Sequence, residues 1–321
     1  MRMFLSFVLL KFLIIIGSPL SFADSAFSVM TFNLRHSGEE VDAENGNKWE
    51  GKRDQQVINA VLSKIPDILG VQEMAADPST TIDPRDYVRT HLEFEYDFYK
   101  GIGGSPKDIF YRKTKFSVEH ENSGADYIWP DSRSNICPGS NGEGKARSIT
   151  WATLVDLESG NKLFVVNVHL HHKARDTEIR VKQMECIRNH IEVQSIGLPV
   201  ILLGDLNSLY GGYEICTFEK GFHENQKPMF DASGTDYNAT FNGFCVDCKH
   251  DAKLDYIFLR GLEVVGGPEI VRYSYFDSID NEYRWPSDHF PLYAELEYHS
   301  DSAYVNLEQS ACNKSGFSLF W

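Results

Sequence analysis

The sequence lacks the glycine-rich phosphate loops of nucleotide-binding enzymes, because neither a Walker pattern nor G-x-G-x-x-G is present. It also lacks a G-x-S-x-G nucleophile elbow, and no cysteine is placed to act as a nucleophile. No internal repeat, sustained heptad or glycine period occurs, which excludes repeat, coiled-coil and collagen architectures. Any catalysis by this chain is therefore expected to proceed without a covalent enzyme intermediate.

The sequence has fewer basic than acidic residues. It contains 31 Lys and Arg against 46 Asp and Glu, which gives a formal net charge of −15. This balance excludes tight non-specific binding to nucleic acid driven by overall charge. It does not exclude a nucleic-acid substrate, because a local site on an acidic body can be basic or bridged by a metal. The 321 residues contain no linker-like segment, and we expect a single folded domain.

The N-terminal segment predicts export. Residues 1–23 begin with a basic residue, continue in an apolar run and end in Ser21-Phe22-Ala23, a small-x-small cleavage pattern. The run is too short and too charged for a bilayer span of about 20 residues, so an uncleaved anchor is the weaker interpretation. Cleavage predicts a secreted or periplasmic protein with no transmembrane segment. The mature chain would comprise a catalytic domain over 24–298 and a tail over 299–321, with Phe317–Trp321 docked on the core or touching a membrane.

Six cysteines matter in an exported chain, where disulfides are the default state: Cys137, Cys186, Cys216, Cys245, Cys248 and Cys312. Fifteen pairings are possible, and the sequence does not choose among them. Cys186 lies in a predicted amphipathic helix and is equally consistent with a core thiol. Cys245 and Cys248 could instead begin a zinc site with His250, although no second ligand pair follows.

Apolar and β-branched runs predict strands at 27–32, 67–73, 149–156, 163–170, 199–204, 254–259 and 290–297. Residues 108–112 and 116–119 have the pattern of a β-hairpin. Apolar spacing predicts helices over 53–65 and from Asp176, as the cap, to about Glu192. Residues 130–144 and 223–253 are predicted loops. Strands outnumber helices, which favours two central sheets with helices outside.

Polar side chains follow the predicted strands where each strand begins or ends. The residues are Asn33, Glu73, His169, Asp205, Asn207, Asp255, Asp288 and His289. Because six strands share this feature, we expect one convergent site at a sheet edge. Carboxylate and amide oxygens suit Mg²⁺ or Mn²⁺ rather than Zn²⁺, and the histidines can carry protons or contact phosphate. The composition predicts metal-assisted attack of water on a phosphoester.

The motifs TFN (31–33), QE (72–73), VNVHL (166–170), GDLN (204–207), LDYIF (254–258) and SDHFP (287–291) resemble the endonuclease/exonuclease/phosphatase superfamily over residues 27–297. The resemblance implies a four-layer α/β sandwich with two central, mostly antiparallel sheets flanked by helices, and a Mg²⁺ site at one end. By position, Asn33, Glu73 and Asp288 would bind or organise the metal. Asp205 would act on the attacking water and Asn207 on the phosphate. His169 and His289, the latter paired to Asp255, would stabilise the transition state, and the general base is either Asp205 or His289.

An exported subgroup of unassigned substrate fits best, because the chain resembles it in N-K-W…R (47–53), IFYR (109–112) and AR…TW (146–151). Arg147 in the last motif is a candidate phosphate contact or a plain surface arginine. A phosphodiesterase acting on nucleic acid or nucleotides is the favoured function. A sugar- or inositol-phosphate monoesterase and a sphingomyelinase-like phospholipase C are the alternatives, and a non-catalytic binding module is the weakest. A monomer is the expected state.

Overall fold

A computed structural model describes residues 26–38, 40–76, 80–137, 147–221, 226–233 and 239–298. The predicted signal peptide, the tail with Phe317–Trp321 and part of the 130–144 loop lie outside the described residues. Within them, no helix is both long enough and apolar enough to cross a membrane.

Fourteen strands and five α-helices make up the described chain. The strands are β1 (Phe27–Asn33), β2 (Ile68–Gln72), β3 (Tyr96–Tyr99), β4 (Ile109–Arg112), β5 (Phe116–Ile128), β6 (Arg147–Asp156), β7 (Lys162–His169), β8 (Val200–Asp205), β9 (Phe230–Asp231), β10 (Asp255–Arg260), β11 (Leu262–Ile270), β12 (Tyr275–Asp277), β13 (Glu282–Arg284) and β14 (Leu292–Tyr298). The helices are α1 (Glu40–Glu44), α2 (Asp54–Leu62), α3 (Pro84–Leu92), α4 (Thr177–Gln194) and α5 (Tyr213–Lys220). A turn at Trp49–Arg53, in which Glu50 and Gly51 have non-helical backbone angles, leads into α2.

Two six-stranded sheets form the centre, in the orders β11-β14-β1-β2-β4-β3 and β5-β6-β7-β8-β10-β9. Their facing sides bury one apolar cluster that includes Val29, Ile68, Val165 and Ile201. A second cluster joins the outer face of the second sheet to α4, and a third joins the first sheet to α2 and α3. The predicted four-layer α/β sandwich is confirmed. Most pairings are antiparallel, while β1 with β2 and β7 with β8 are parallel.

The predicted hairpin of 108–112 with 116–119 is wrong. β4 pairs with β2 and β3 in the first sheet, whereas β5 pairs with β6 in the second. The turn between them is tight, as expected, since Lys115 N donates to Arg112 O at 3.0 Å. A tight turn requires only that the chain reverse direction, and here it carries the chain from one sheet to the other.

The helix that begins at Thr177 is predicted correctly in place but not in its cap. The carboxylate of Asp176 caps no backbone amide and instead lies 2.8 Å from His171 Nε2. Helix α3 was missed although its start carries a clear signal. There Asp83 accepts a hydrogen bond from Arg85 N at 2.9 Å, and Pro84 occupies the first turn.

The cysteines of the described residues are oxidised. Cys137 bonds to Cys186 across 49 residues, tying the loop after β5 to α4, so the core-thiol interpretation of Cys186 is wrong. Cys245 bonds to Cys248, which removes the two thiolates that a zinc site with His250 would need. Cys216 is also disulfide-bonded, and no described cysteine is free.

Candidate active site

Strand register brings the polar strand ends to one edge of the sandwich. In the first sheet β1 and β2 run parallel, and Asn33 pairs with Gln72, the residue before Glu73. In the second sheet β7 and β8 run parallel, and His169 pairs with Asp205. Asp205 also pairs with Asp255 of the antiparallel β10. The C-terminal ends of four parallel-paired strands thus face one another across the two sheets.

The first sheet contributes an amide and a carboxylate. The Asn33 side chain is fully buried, and its Nδ2 donates to Glu73 Oε1 at 3.1 Å and to Asp205 Oδ2 at 3.0 Å. Its oxygen accepts from Arg35 N. Glu73 adopts φ 58°, an unusual value for a residue with a side chain, directly after β2. Asn33 therefore orients two acids through its NH₂ group, with its oxygen turned toward the backbone.

The second sheet contributes the centre of the site. Asp205 is buried, and its Oδ2 lies 3.6 Å from His169 Nε2 and 3.9 Å from His289 Nε2. The same His169 nitrogen lies 3.8 Å from Glu73 Oε1. Asn207 follows in a turn with φ 49°; its N donates to Asp205 Oδ1, and its Nδ2 donates to Leu170 O at 3.2 Å. Asp205 Oδ2 is the atom on which Asn33 and both imidazoles converge.

Asp255 and His289 form a buried pair, with His289 Nδ1 2.8 Å from Asp255 Oδ2. The pair orients the second ring nitrogen of His289 toward Asp205. Phe241 packs edge-on to the imidazole at 5.2 Å between ring centroids. Asp255 Oδ1 is buried without a hydrogen-bond partner among the described residues.

Asp288 precedes His289 on the same turn, but it does not belong to the closely spaced acids and histidines around Asp205. Its Oδ2 is 3.6 Å from Arg35 Nη1, and Ser287 Oγ reaches its Oδ1 at 3.4 Å. Ser287 Oγ also donates to Asn33 O at 2.7 Å, which joins this turn to the end of β1. Of the predicted site residues, Asp288 is thus held beside the centre, on the side of Arg35.

Burial sets the electrostatics of the site. Desolvation, reinforced by Asp255, raises the pKa of Asp205 to about 7. Desolvation also holds the pKa of His169 well below its usual value, with Arg147 and Lys107 adding to the effect. Although burial opposes it, the neighbouring carboxylate of Asp255 raises the pKa of His289 well above the ordinary value. The acids of the site are more numerous than the cations that contact them.

The residues fit a divalent cation. Ligand atoms of Glu73, His169 and Asp205 lie within 4.8 Å of one another, as do those of Asp205, Asp255 and His289. Most of these donors are hard oxygen atoms, which suits Mg²⁺ or Mn²⁺. The site has more buried carboxylates than cations in contact with them, and Asp255 Oδ1 has no partner among the described residues. A bound cation would neutralise this negative charge.

Two cationic residues border this centre. Arg147, at the start of β6, places Nη1 3.5 Å from His169 Nδ1 and Nη2 3.4 Å from His172 Nδ1. Lys107, just before β4, is 3% exposed, and its Nζ donates to Ser105 O and Ser148 Oγ. Sequence reasoning proposed Arg147 but missed Lys107. Lys107 directly precedes the predicted strand 108–112, so its place next to a strand end was the available signal.

The sequence matches the model of the endonuclease/exonuclease/phosphatase family over residues 30–289. The chain belongs to this family. Its members are phosphoester hydrolases, so the protein is a metal-dependent hydrolase of phosphoric esters. Divalent metal dependence is typical of the family, and the acid clusters described above are its counterpart here.

Solved structures share the family fold with this chain. A family member from Bacteroides thetaiotaomicron is 23% identical with a TM-score of 0.70, covering 86% of this chain and 98% of that one. A mannosyl-6-phosphatase from the same organism is 23% identical with a TM-score of 0.69, covering 85% and 100%. The catalytic domain of human nocturnin is 18% identical with a TM-score of 0.61, covering 85% and 93%. No curated protein matches the sequence. At these identities the neighbours establish the fold and leave the substrate open.

Proposed function

We propose that this hydrolase is a Mg²⁺-dependent phosphodiesterase that acts on nucleic acid or nucleotides after export. The observation that carries the reaction is the convergence on Asp205 Oδ2, which lies 3.0 Å from Asn33 Nδ2, 3.6 Å from His169 Nε2 and 3.9 Å from His289 Nε2. A water molecule and a phosphate placed there would meet a proton acceptor and two imidazole donors together.

Each residue has a role in this proposal. Glu73 would hold the metal, with Asn33 and Asp288 organising its site, and a bound ion would supply polarisation of the phosphoryl oxygen and a lower pKa of water. Asp205 orients the attacking water and accepts its proton, and Asn207 contacts the phosphate. His289, oriented by Asp255, and His169 donate to phosphate oxygens as charge develops. Arg147 lies on the other side of His169 and is not assigned to the reacting phosphate.

A sugar-phosphate monoesterase is the second candidate, because one structurally similar protein is a mannosyl-6-phosphatase. The same water-activating centre serves either ester, and the two functions differ in whether the phosphate carries one or two ester links. Export is supported by the oxidised Cys137–Cys186 and Cys245–Cys248 pairs, since such bonds persist outside the cytosol.

The test is a parallel turnover assay with bis-p-nitrophenyl phosphate, p-nitrophenyl phosphate, plasmid DNA and sphingomyelin vesicles, each with Mg²⁺, Mn²⁺ or EDTA. We expect cleavage of the diester and of DNA that EDTA abolishes and Mg²⁺ restores. Release from the monoester alone would replace the diesterase with the phosphatase, and cleavage confined to sphingomyelin vesicles would replace it with a phospholipase C. Turnover that persists undiminished in EDTA would contradict the metal-dependent mechanism.

A further inference from the structure

Arg147 is partly buried, and it differs from the buried cations of the described chain in what it contacts. Arg53 donates to five backbone carbonyl oxygens, Arg180 pairs with Glu214, and Lys253 pairs with Asp231. The guanidinium of Arg147 has only the ring nitrogens of two histidines, at 3.4 and 3.5 Å, and its Nε is buried without a partner among the described residues. A partly buried guanidinium with an unsatisfied Nε and no carboxylate partner is an arrangement that a bound anion would stabilise.

Lys107 shares this lack of an anion. Its Nζ donates to Ser105 O at 2.7 Å and to Ser148 Oγ at 3.3 Å, and it forms no ion pair with a carboxylate in the described part of the chain. An ammonium group has three donors, so one remains for a ligand. Ser148 is the residue after Arg147 on β6, so Lys107 of the first sheet reaches the same end of that strand, where the charge of Arg147 acts on it.

The loop that carries Lys107 is fixed in place. Asp108 Oδ1 accepts from Gly101 N, and Asp108 Oδ2 accepts from Arg89 Nε, both at 2.8 Å. A Cβ on Gly101 would lie 2.6 Å from Lys107 N, so the loop closes on itself only with glycine there. Lys107 is therefore held in position before any ligand arrives, which lowers the entropic cost of binding.

Arg147 lies on the far side of His169 from Asp205 and Glu73. His169 Nε2 faces Asp205 and Glu73 at 3.6 and 3.8 Å, whereas its Nδ1 faces Arg147 Nη1 at 3.5 Å. A phosphate that reacts beside Asp205 and His289 is thus separated from Arg147 by an imidazole ring. An anion bound to the cations would be a second group on the substrate.

We propose that Lys107 and Arg147 form a subsite for a second phosphate group of the substrate, next to the phosphate that is hydrolysed. This inference rests on the proposed function for the identity of the reacting site. It narrows the substrate class to compounds with neighbouring phosphates, such as a nucleotide chain. Bidentate contact from a guanidinium and a point charge from an ammonium are the usual means of holding phosphate.

The first experiment measures phosphate binding without metal. In EDTA the uncompensated acids repel phosphate, so the subsite is the place left for it. Calorimetric titration of inorganic phosphate should show binding to the wild-type chain. The variants Lys107→Met and Arg147→Met should bind at least about tenfold more weakly, since a charge-assisted hydrogen bond is lost. Lys162→Met, which alters an exposed lysine paired with Glu119, should match the wild type.

The second experiment tests whether the phosphate is a neighbour of the reacting one. Thymidine 5′-(p-nitrophenyl phosphate) is compared with the same compound carrying a 3′-phosphate, in the presence of Mg²⁺. The added phosphate should lower KM at least about tenfold in the wild type, and the advantage should shrink toward none in Lys107→Met and Arg147→Met. Equal KM values for both compounds in the wild type, or equal losses on both in the variants, would overturn the subsite.

Failure of the two proposals is distinguishable. Phosphate binding in EDTA that depends on Lys107 and Arg147 would support the anion subsite. If the protein then showed no diester turnover, the proposed diesterase function would be wrong and the subsite would stand. Diester turnover without metal-free phosphate binding would remove the subsite alone. Circular dichroism monitors folding, and Arg147→Lys keeps the charge while losing the planar fork, so partial binding by that variant separates charge from a packing defect.

Discussion

Asp205 is the residue on which the chemistry depends most directly. We expect Asp205→Asn to lower kcat on the order of 10³-fold, because the attacking water loses its acceptor. The same change should raise the melting temperature in EDTA, since it relieves repulsion with Asp255 and Glu73 in a buried site. Thermal unfolding and turnover are measured on the same sample.

The matched control is Asp86→Asn, which alters an acid that is 80% exposed in its side chain on helix α3. This variant should leave both quantities unchanged. Near-normal turnover of Asp205→Asn would remove Asp205 from the water-activating role.

Lys107 should confer a pH dependence on substrate binding. Burial, together with the charge of Arg147, lowers its pKa to about 7, while Glu73 on the neighbouring strand end opposes the shift. A lysine with this pKa is charged below neutrality and loses its charge as pH rises. The KM advantage conferred by a 3′-phosphate should therefore be present at pH 6.5 and fall about tenfold by pH 8.5.

The ratio of the KM values for the two substrates is unaffected by any titration that changes both KM values equally, including titrations near the metal. In Lys107→Met the ratio of the two KM values should not vary over this range. A ratio that changes equally in wild type and variant would contradict the assignment to Lys107.

Among the elements, the turn at Trp49–Arg53 supports the site through the side chain of Arg53. Arg53 is 1% exposed, and it donates to the carbonyls of Leu34, Arg35 and His36 after β1 and to Pro286 before the SDH turn. The first loop directly follows Asn33 and the second leads into Asp288, two of the three residues assigned to the metal site. The motif N-K-W…R therefore supplies Arg53 as a structural residue that holds these two loops together.

We expect Arg53→Lys to lower the free energy of unfolding by about 2–4 kcal/mol, because several buried carbonyls lose their donor. Mg²⁺ affinity should fall about tenfold with it, since Asn33 and the SDH turn lose their fixed spacing. Mg²⁺-dependent shifts of the melting temperature measure both effects. Arg133→Lys, an exposed arginine paired with Asp131, is the control. Unchanged Mg²⁺ affinity in the folded Arg53→Lys variant would show that the clamp has no part in holding the metal site.

At the scale of the whole molecule, a buried polar bridge holds the two sheets together. Asn167 of β7 donates to Val71 O at 2.9 Å and to Asp108 O at 2.8 Å, and its oxygen accepts from Gln72 Nε2 at 2.7 Å. Gly70 lies opposite, where a Cβ would come within 3.1 Å of Asn167 Cγ. The bridge fixes the spacing of the sheets close to the edge where the site lies.

Asn167→Ala should therefore cost about 2–4 kcal/mol of unfolding free energy, because three buried polar groups each lose one hydrogen bond. Urea unfolding measures the loss, with the exposed Asn135→Ala as the control. A loss below about 0.5 kcal/mol, the range of surface substitutions, would show that the bridge is dispensable.

The polar residues at strand ends can be predicted from the sequence, because the end of a strand is marked by the local pattern of residues around it. Asn33, Glu73, His169, Asp205 and His289 follow or precede apolar runs whose period marks them as strands, and the structure brings them to one edge. The fold class follows for the same reason, since alternation and run length identify the elements. Their roles in catalysis remain predictions.

Tertiary structure decided what depends on partners distant in the chain. The strands that flank the Lys113–Lys115 turn belong to different sheets, because pairing depends on which neighbours each strand meets. Lys107 became visible as a buried cation without an anion only when the two sheets came together. Burial and the absence of a partner are properties of the packed molecule, and a local pattern of residues does not contain them.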